Sequence, residues 1–176
     1  MTAERFDLII IGCGKSKRQH ASPAADLYTG QLFRAARQYA EAHADAYLIA
    51  SARHGLVEPT AILEPYDDTL PAGFDERRAW GFCCQADLAA WLNDRPHLMH
   101  HNARGLRAIV PEFRCAILAG RRYAEAILDW TALGPHNTTT PLAGLGIGHR
   151  LQYLAGTTPA TTTEPADLPL FAGLTM

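Results

Sequence analysis

The sequence predicts an α/β protein: a single three-layer domain over residues 1–155, with a small, mainly parallel sheet flanked by helices. Three observations carry this. Aliphatic runs at Leu8–Ile11, Ala46–Ala50 and Cys115–Ala119 are too short for ordinary helices and read as strands buried on both faces. Segments with helical spacing separate them, and strands alternating with helices imply a parallel sheet covered on both sides. Each run also ends in a polar or glycine-containing turn, and ligands of such folds bind beyond the carboxyl ends of the strands.

The first run opens into Gly12-Cys-Gly-Lys-Ser-Lys17. Glycines allow a tight turn or close approach to a ligand, and the N–H groups, hydroxyl and ammonium charges that follow suit an anion. The same letters also fit an ordinary strand-to-helix turn with solvated lysines. A Walker A loop is excluded, because it needs glycine five residues before Gly14 and Ile9 stands there. Ser22-Pro23 and Thr29 are helix-start signals. Leu32, Ala36, Tyr39 and Ala40 then keep helical spacing, predicting a helix from Thr29 to about His43. The second strand ends in the polar turn Ser51-Ala-Arg-His-Gly55, and Leu56 to Leu70 reads as irregular. A helix from Asp75 to about Trp91 buries Trp80, Cys84, Leu88 and Trp91, and a shorter one is expected over Asn102 to Val110. After the third strand, Gly120-Arg-Arg-Tyr leads into a helix ending near Trp130, and a last helix spans about Gly146 to Leu154. The turns Gly12–Lys17, Ser51–Gly55 and Gly120–Tyr123 are therefore expected on one rim.

Composition bounds the function. A chain of 176 residues with 48% hydrophobic and 19% charged residues is an ordinary globular domain. The formal charge of −2 gives no bulk attraction to nucleic acid, so such a partner needs a local basic patch. Lys15, Lys17 and Arg18, and the pairs Arg34/Arg37, Arg77/Arg78 and Arg121/Arg122, supply candidates. The four cysteines form no Cys-x-x-Cys pair. With no signal peptide or long apolar span, a soluble, reduced, cytoplasmic protein without membrane association is expected. His97, His100 and His101 match no standard metal spacing, so no metal is expected, and Gly144-x-Gly-x-Gly148 follows no clear strand and is a poor dinucleotide fingerprint.

Three pieces carry a family resemblance: Ile11-Gly-Cys-Gly-Lys-Ser-Lys17, Leu27-Tyr-Thr-Gly-Gln-Leu-Phe33, and Ile49-Ala-Ser-Ala-Arg-His-Gly-Leu56 continuing to Pro65-Tyr-Asp67. Over residues 8 to 80 the chain resembles small phage and actinobacterial proteins grouped with the YaaA-like peroxide-stress proteins. It is more distantly similar to the core domain of archaeosine synthase. The resemblance implies a fold distantly like uracil-DNA glycosylases, and a nucleic-acid or nucleobase context.

Cleaving a glycosidic bond to a base needs a carboxylate or amide near the sugar cation, a donor for the leaving base, and an aromatic face. Asp67, His54 or Arg53, and Tyr66 supply those types within a short span. The expected reaction is N-glycosidic cleavage or base exchange on a nucleotide or DNA, without a redox cofactor. Lys15 and Ser16 would hold phosphate in the loop of Gly12, Cys13 and Gly14. Arg53 and His54 would face base or sugar, Asp67 would lie near the anomeric carbon, and Ser51, Gly120 and Arg121 would complete the binding rim. Each residue also has a plain reading: Asp67-Asp68 as turn acids, Tyr66 as core, Cys13 as a small hydrophobe rather than a nucleophile. Two other functions stay open, a non-catalytic DNA-binding stress protein of the YaaA type and a nucleotide-sensing module. Residues 156–176, rich in Thr and Pro, read as a flexible tail. Within it Asp167, Leu168, Leu170 and Phe171 resemble the short peptides that dock on the bacterial sliding clamp.

Overall fold

The computed structural model describes residues 5–133 and 137–156. In chain order, β1 (Phe6–Gly12) leads through a loop to β2 (Ser22–Pro23), the single turn α1 (Ala24–Leu27) and α2 (Gln31–His43). β3 (Ala44–Ser51), β4 (Gly55–Val57) and β5 (Ile62–Leu63) precede the long helix α3 (Phe74–Asn93). A short 3-10 turn at Pro96–Leu98 enters β6 (Met99–His101) and β7 (Arg107–Ile109). Last come β8 (Cys115–Leu118), α4 (Arg121–Trp130), β9 (Thr138–Thr139) and α5 (Ile147–Leu154).

The main sheet has the order β4-β3-β1-β8-β9. β1 is central and parallel to both β3 and β8; β9 adds a second parallel pairing on β8, while β4 runs antiparallel to β3. Leu8 to Ile11 are fully buried, and alternation along the strand explains why the run has no polar position. Leu8 and Ile10 pack with Trp80, Leu88 and Ile127 from α3 and α4. Ile9 and Ile11 pack with Leu27, Phe33 and Ala36 from α1 and α2, and with Leu154 from α5. The result is a mixed α/β domain with helices on both faces of a mainly parallel sheet. No helix among the described residues is long and apolar enough to cross a membrane.

One expected helix is absent. Residues Asn102 to Val110 form most of a β-hairpin instead, in which His100 pairs with Ala108 and His101 with Arg107. Local turn chemistry prevails there. The Asn102 side-chain oxygen accepts the N–H groups of Arg104 (2.9 Å) and Leu106 (3.1 Å), an Asx-type turn that competes with helix. Gly105 supplies the positive φ of 72° that the reversal needs. The stretch from Leu56 to Leu70 is also less irregular than its sequence suggests: β4 extends the main sheet and β5 pairs with β2. The clamp-like residues Asp167, Leu168, Leu170 and Phe171 lie outside the described residues.

Candidate functional site

The chain reverses sheet direction at β1, adding β3 on one side and later β8 on the other. At such a switch point the loops leaving neighbouring strands diverge and open a crevice. A cavity of about 620 Å³ lies there, lined by Cys13, Gly14, Lys15 and Lys17 after β1, by Gly120 to Tyr123 after β8, and by the wall Asp67 to Leu70.

Each wall is held by a specific device. The ends of β1 and β8 approach closely, since a Cβ at Gly12 would lie 3.1 Å from that of Ala119. The cationic loop is stitched by main chain: Cys13 N–H donates to Ala50 O (3.0 Å), Thr29 N–H to Ser16 O (2.9 Å) and Arg18 N–H to Leu27 O (2.8 Å). These bonds direct the side chain of Lys17 inward, where its ammonium sits 4.2 Å from the Tyr66 ring centre. Gly120 precedes α4 with no side-chain cap, and Gly120 to Tyr123 line the cavity, so the amino end of the helix borders it together with the side chains of Arg121 and Arg122. A helix amino end of this kind favours negative charge.

The third wall is pinned at three points. Tyr66 is buried, and its hydroxyl lies 2.7 Å from both the Tyr28 hydroxyl and Ser51 Oγ. Ser51 Oγ also accepts the His54 N–H (3.0 Å), and the Ser51 carbonyl accepts Trp80 Nε1–H (2.9 Å). Burial raises the phenols of Tyr28 and Tyr66 above the usual tyrosine range, so both stay neutral and able to donate. Next in the chain, Asp68 pairs with Arg53 at 2.8 Å. Beyond it, Arg122 donates to the Pro71 carbonyl at 2.9 Å. Asp67 therefore projects from a backbone fixed on either side, although its own side chain is exposed.

The expected residues divide accordingly. Cys13, Gly14, Lys15, Asp67, Gly120 and Arg121 line the cavity, with Gly12 directly behind them. Ser16 is exposed and does not line it. Arg53 and His54 stand behind the Asp67 wall: Arg53 lies 5.6 Å from the Tyr66 ring centre, and His54 meets that ring edge-on at 5.4 Å. Burial, then the Arg53 charge, holds the His54 imidazole below its usual value. Ser51 and Tyr66 serve as buried anchors, and the face of Tyr66 is taken by Lys17. The aromatic residue that does line the cavity is Tyr123, whose hydroxyl lies 3.4 Å from Cys13 Sγ and whose ring meets Trp80 edge-on at 5.5 Å. Burial raises its phenol too. Thr69, Leu70 and the hydroxyl of Tyr28 carried no sequence signal beyond their neighbours, because their roles depend on contacts distant in the chain. Among the described residues no cluster of three or more His, Cys, Asp or Glu could hold a metal ion.

No curated protein and no solved structure matches the chain significantly. A family model does, over residues 8–156, spanning the central strand, all three cavity walls and the last helix. The chain belongs to that family, described as a family of unknown function, DUF6884.

Proposed function

We propose that the cavity binds a phosphorylated nucleoside unit and that the protein cleaves or exchanges its N-glycosidic bond. The observation that carries this reading is the position of Asp67. It is a carboxylate on a pinned wall, facing a concave site whose other charged residues are Lys15, Lys17, Arg121, Arg122 and Asp68, the last paired with Arg53. The arginines and the amino end of α4 suit phosphate. Tyr123 offers the aromatic face and hydroxyl toward the base. In hydrolysis the bond from C1′ to the base nitrogen breaks with its electron pair going to the base. Asp67 stabilises the positive charge developing on the sugar, water adds to C1′, and its proton is taken up by the leaving base or by solvent. Arg53 and His54 act through the wall rather than on the substrate. The distant likeness to uracil-DNA glycosylases drawn from the sequence belongs to the same proposal, whereas the YaaA likeness belongs to the non-catalytic DNA-binding alternative.

A second reading is a nucleotide-binding module without catalysis. It is favoured by the exposure of the Asp67 side chain, which makes no hydrogen bond or ion pair to another described residue. Electrostatic catalysis works best with a fixed charge. Asp67→Asn separates the two. In the enzyme reading, base release from nucleotides or oligonucleotides, followed by chromatography, falls by about a hundredfold or more, while nucleotide affinity is kept. Full retention of base release refutes the assigned role of Asp67. Tight nucleotide binding with no release from any substrate supports the binding module.

A further inference from the structure

The outer face of α3 carries large aromatic side chains left in solvent. Phe74 is 63% exposed and Phe82 is 51% exposed. They stand eight residues apart on one helix face, about 12 Å at 1.5 Å per residue. Trp130, at the end of α4, lies between them, with ring centres 6.2 Å from Phe74 and 5.4 Å from Phe82. Gly81 makes room for the indole, since a Cβ there would stand 2.6 Å from Trp130 Cβ, Cγ and Cδ1. Trp130 is thus seated directly on the α3 backbone. Arg78, midway between the two phenylalanines, lays its guanidinium 5.5 Å from the Phe82 ring centre and 5.6 Å from that of Trp130.

This strip is continuous with the cavity. Arg122 walls the cavity and also a small pocket of about 110 Å³, to which Phe74, Arg77 and Trp130 contribute as well. Glu125 and Asp129 also line that pocket, and Glu125 lies 3.9 Å from Arg121.

We infer that the strip is the track along which a single-stranded nucleic acid leaves the cavity. Bases stack on Phe74, Trp130 and Phe82 while phosphates run past Arg77, Arg78 and Arg122. The inference rests on the reading of the cavity as a nucleotide site, and it makes the substrate a polymer rather than a free nucleotide. Single exposed apolar residues need no explanation. Clustered aromatics interleaved with stacked arginines are the chemistry that holds unpaired bases, because every base offers a π-face whatever its sequence. At about 3.4 Å per stacked base, the strip holds roughly three.

The test uses the full chain, a labelled oligothymidylate read by fluorescence anisotropy, and thymidine monophosphate read by calorimetry. Phe74→Ala and Phe82→Ala remove largely exposed side chains and one ring contact each to Trp130, so thermal melts should fall by only a few degrees. Each should weaken the oligonucleotide by about 5- to 100-fold, the range for losing one stacked base, and leave the mononucleotide unchanged. Lys15→Ala should weaken both ligands. Oligonucleotide affinity unchanged by either phenylalanine substitution, with mononucleotide binding intact, overturns the track alone. Oligonucleotide binding that depends on Phe82, with no mononucleotide binding, sustains the track and removes the cavity reading. A wild-type dimer in sedimentation that both substitutions dissociate identifies the strip as a self-association face and overturns the proposal.

Discussion

Replacing Tyr66 with Phe tests whether the buried hydroxyl chain holds the cavity wall. The substitution removes one oxygen and little volume, so its effect comes from hydrogen bonds alone. Two bonds of 2.7 Å disappear, to Tyr28 and to Ser51. Ser51 keeps its bond from the His54 N–H. The Tyr28 hydroxyl, on a residue 2% exposed, loses its 2.7 Å partner and keeps only its weaker contact with Ser51. Stranding a buried hydroxyl costs about 1–3 kcal/mol, and the lost bond to Ser51 adds about 1 kcal/mol. The expected loss is about 2–4 kcal/mol, or roughly 5–15 °C in melting temperature for a chain of this size. The Lys17 ammonium keeps an aromatic face beneath it, so ligand binding should survive where the fold does. Urea denaturation of Tyr66→Phe, Tyr28→Phe and the double variant gives the test. Because the double variant strands neither phenol, it should be about 1–2 kcal/mol more stable than the sum of the single losses predicts. A single-variant loss under about 0.5 kcal/mol, or an additive cycle, refutes the assigned role of the chain.

Two further perturbations address the turn beside that wall. Gly55 has φ +71°, and an added Cβ would collide with Asp87 Oδ2. Gly55→Ala should therefore cost about 2–3 kcal/mol in denaturant titration, and a loss below 0.5 kcal/mol would contradict the assigned strain. Burial raises the Asp87 carboxyl above the usual carboxylate range, against the smaller opposing effect of its 2.9 Å bond from Leu56 N–H. Between the unfolded and the raised folded value the native state holds the extra proton, so this group makes stability fall as pH rises through that window. Asp87→Asn should lose that fall, visible in melting temperatures measured from pH 4 to 7; parallel wild-type and variant profiles would show that Asp87 does not cause it.

What the sequence discloses follows the range of the interactions involved. β1, β3, β8 and the helices α2, α3 and α4 are legible because burial writes itself into periodicity: Leu8 to Ile11 have no polar position, and Trp80, Cys84 and Leu88 recur at helical spacing. The hairpin of β6 and β7 is not, because Asn102 and Gly105 decide it locally against a weak helical pattern. The convergence of the glycine loop with Gly120 and Arg121 follows from strand order, which alternation of strands and helices foretells. Tyr28 and Tyr66 lie 38 residues apart and meet through hydroxyl groups. Neither position differs from an ordinary core tyrosine until the fold joins them. Lys17, by contrast, was visible as charge, but not as the residue that covers Tyr66.

For the proposed nucleotide ligand, the distribution of charge around the cavity would set one direction of binding. Asp67 and Asp68 both line the cavity, and Asp68 is paired with Arg53 at 2.8 Å, which leaves Asp67 as the wall carboxylate without an ion pair to another described residue. A phosphate placed beside Asp67 would meet a like charge at short range, on the order of 4 kcal/mol of repulsion at 4 Å near a protein surface. The same phosphate near Arg121, Arg122 and the uncapped start of α4 would meet favourable charge, offset in part by Glu125, which lies 3.9 Å from Arg121. In the proposed pose the sugar and its bond to the base would then fall toward Asp67 and Tyr123. This polarity needs no movement of the wall, since Tyr66, Asp68 and Pro71 are each tied to a different element. It also accounts for the double duty of Arg122. With one N–H committed to the Pro71 carbonyl, Arg122 borders both the cavity and the pocket beside the aromatic strip. In the proposed track, a phosphate there would be shared by the nucleotide in the cavity and the next one along the strand.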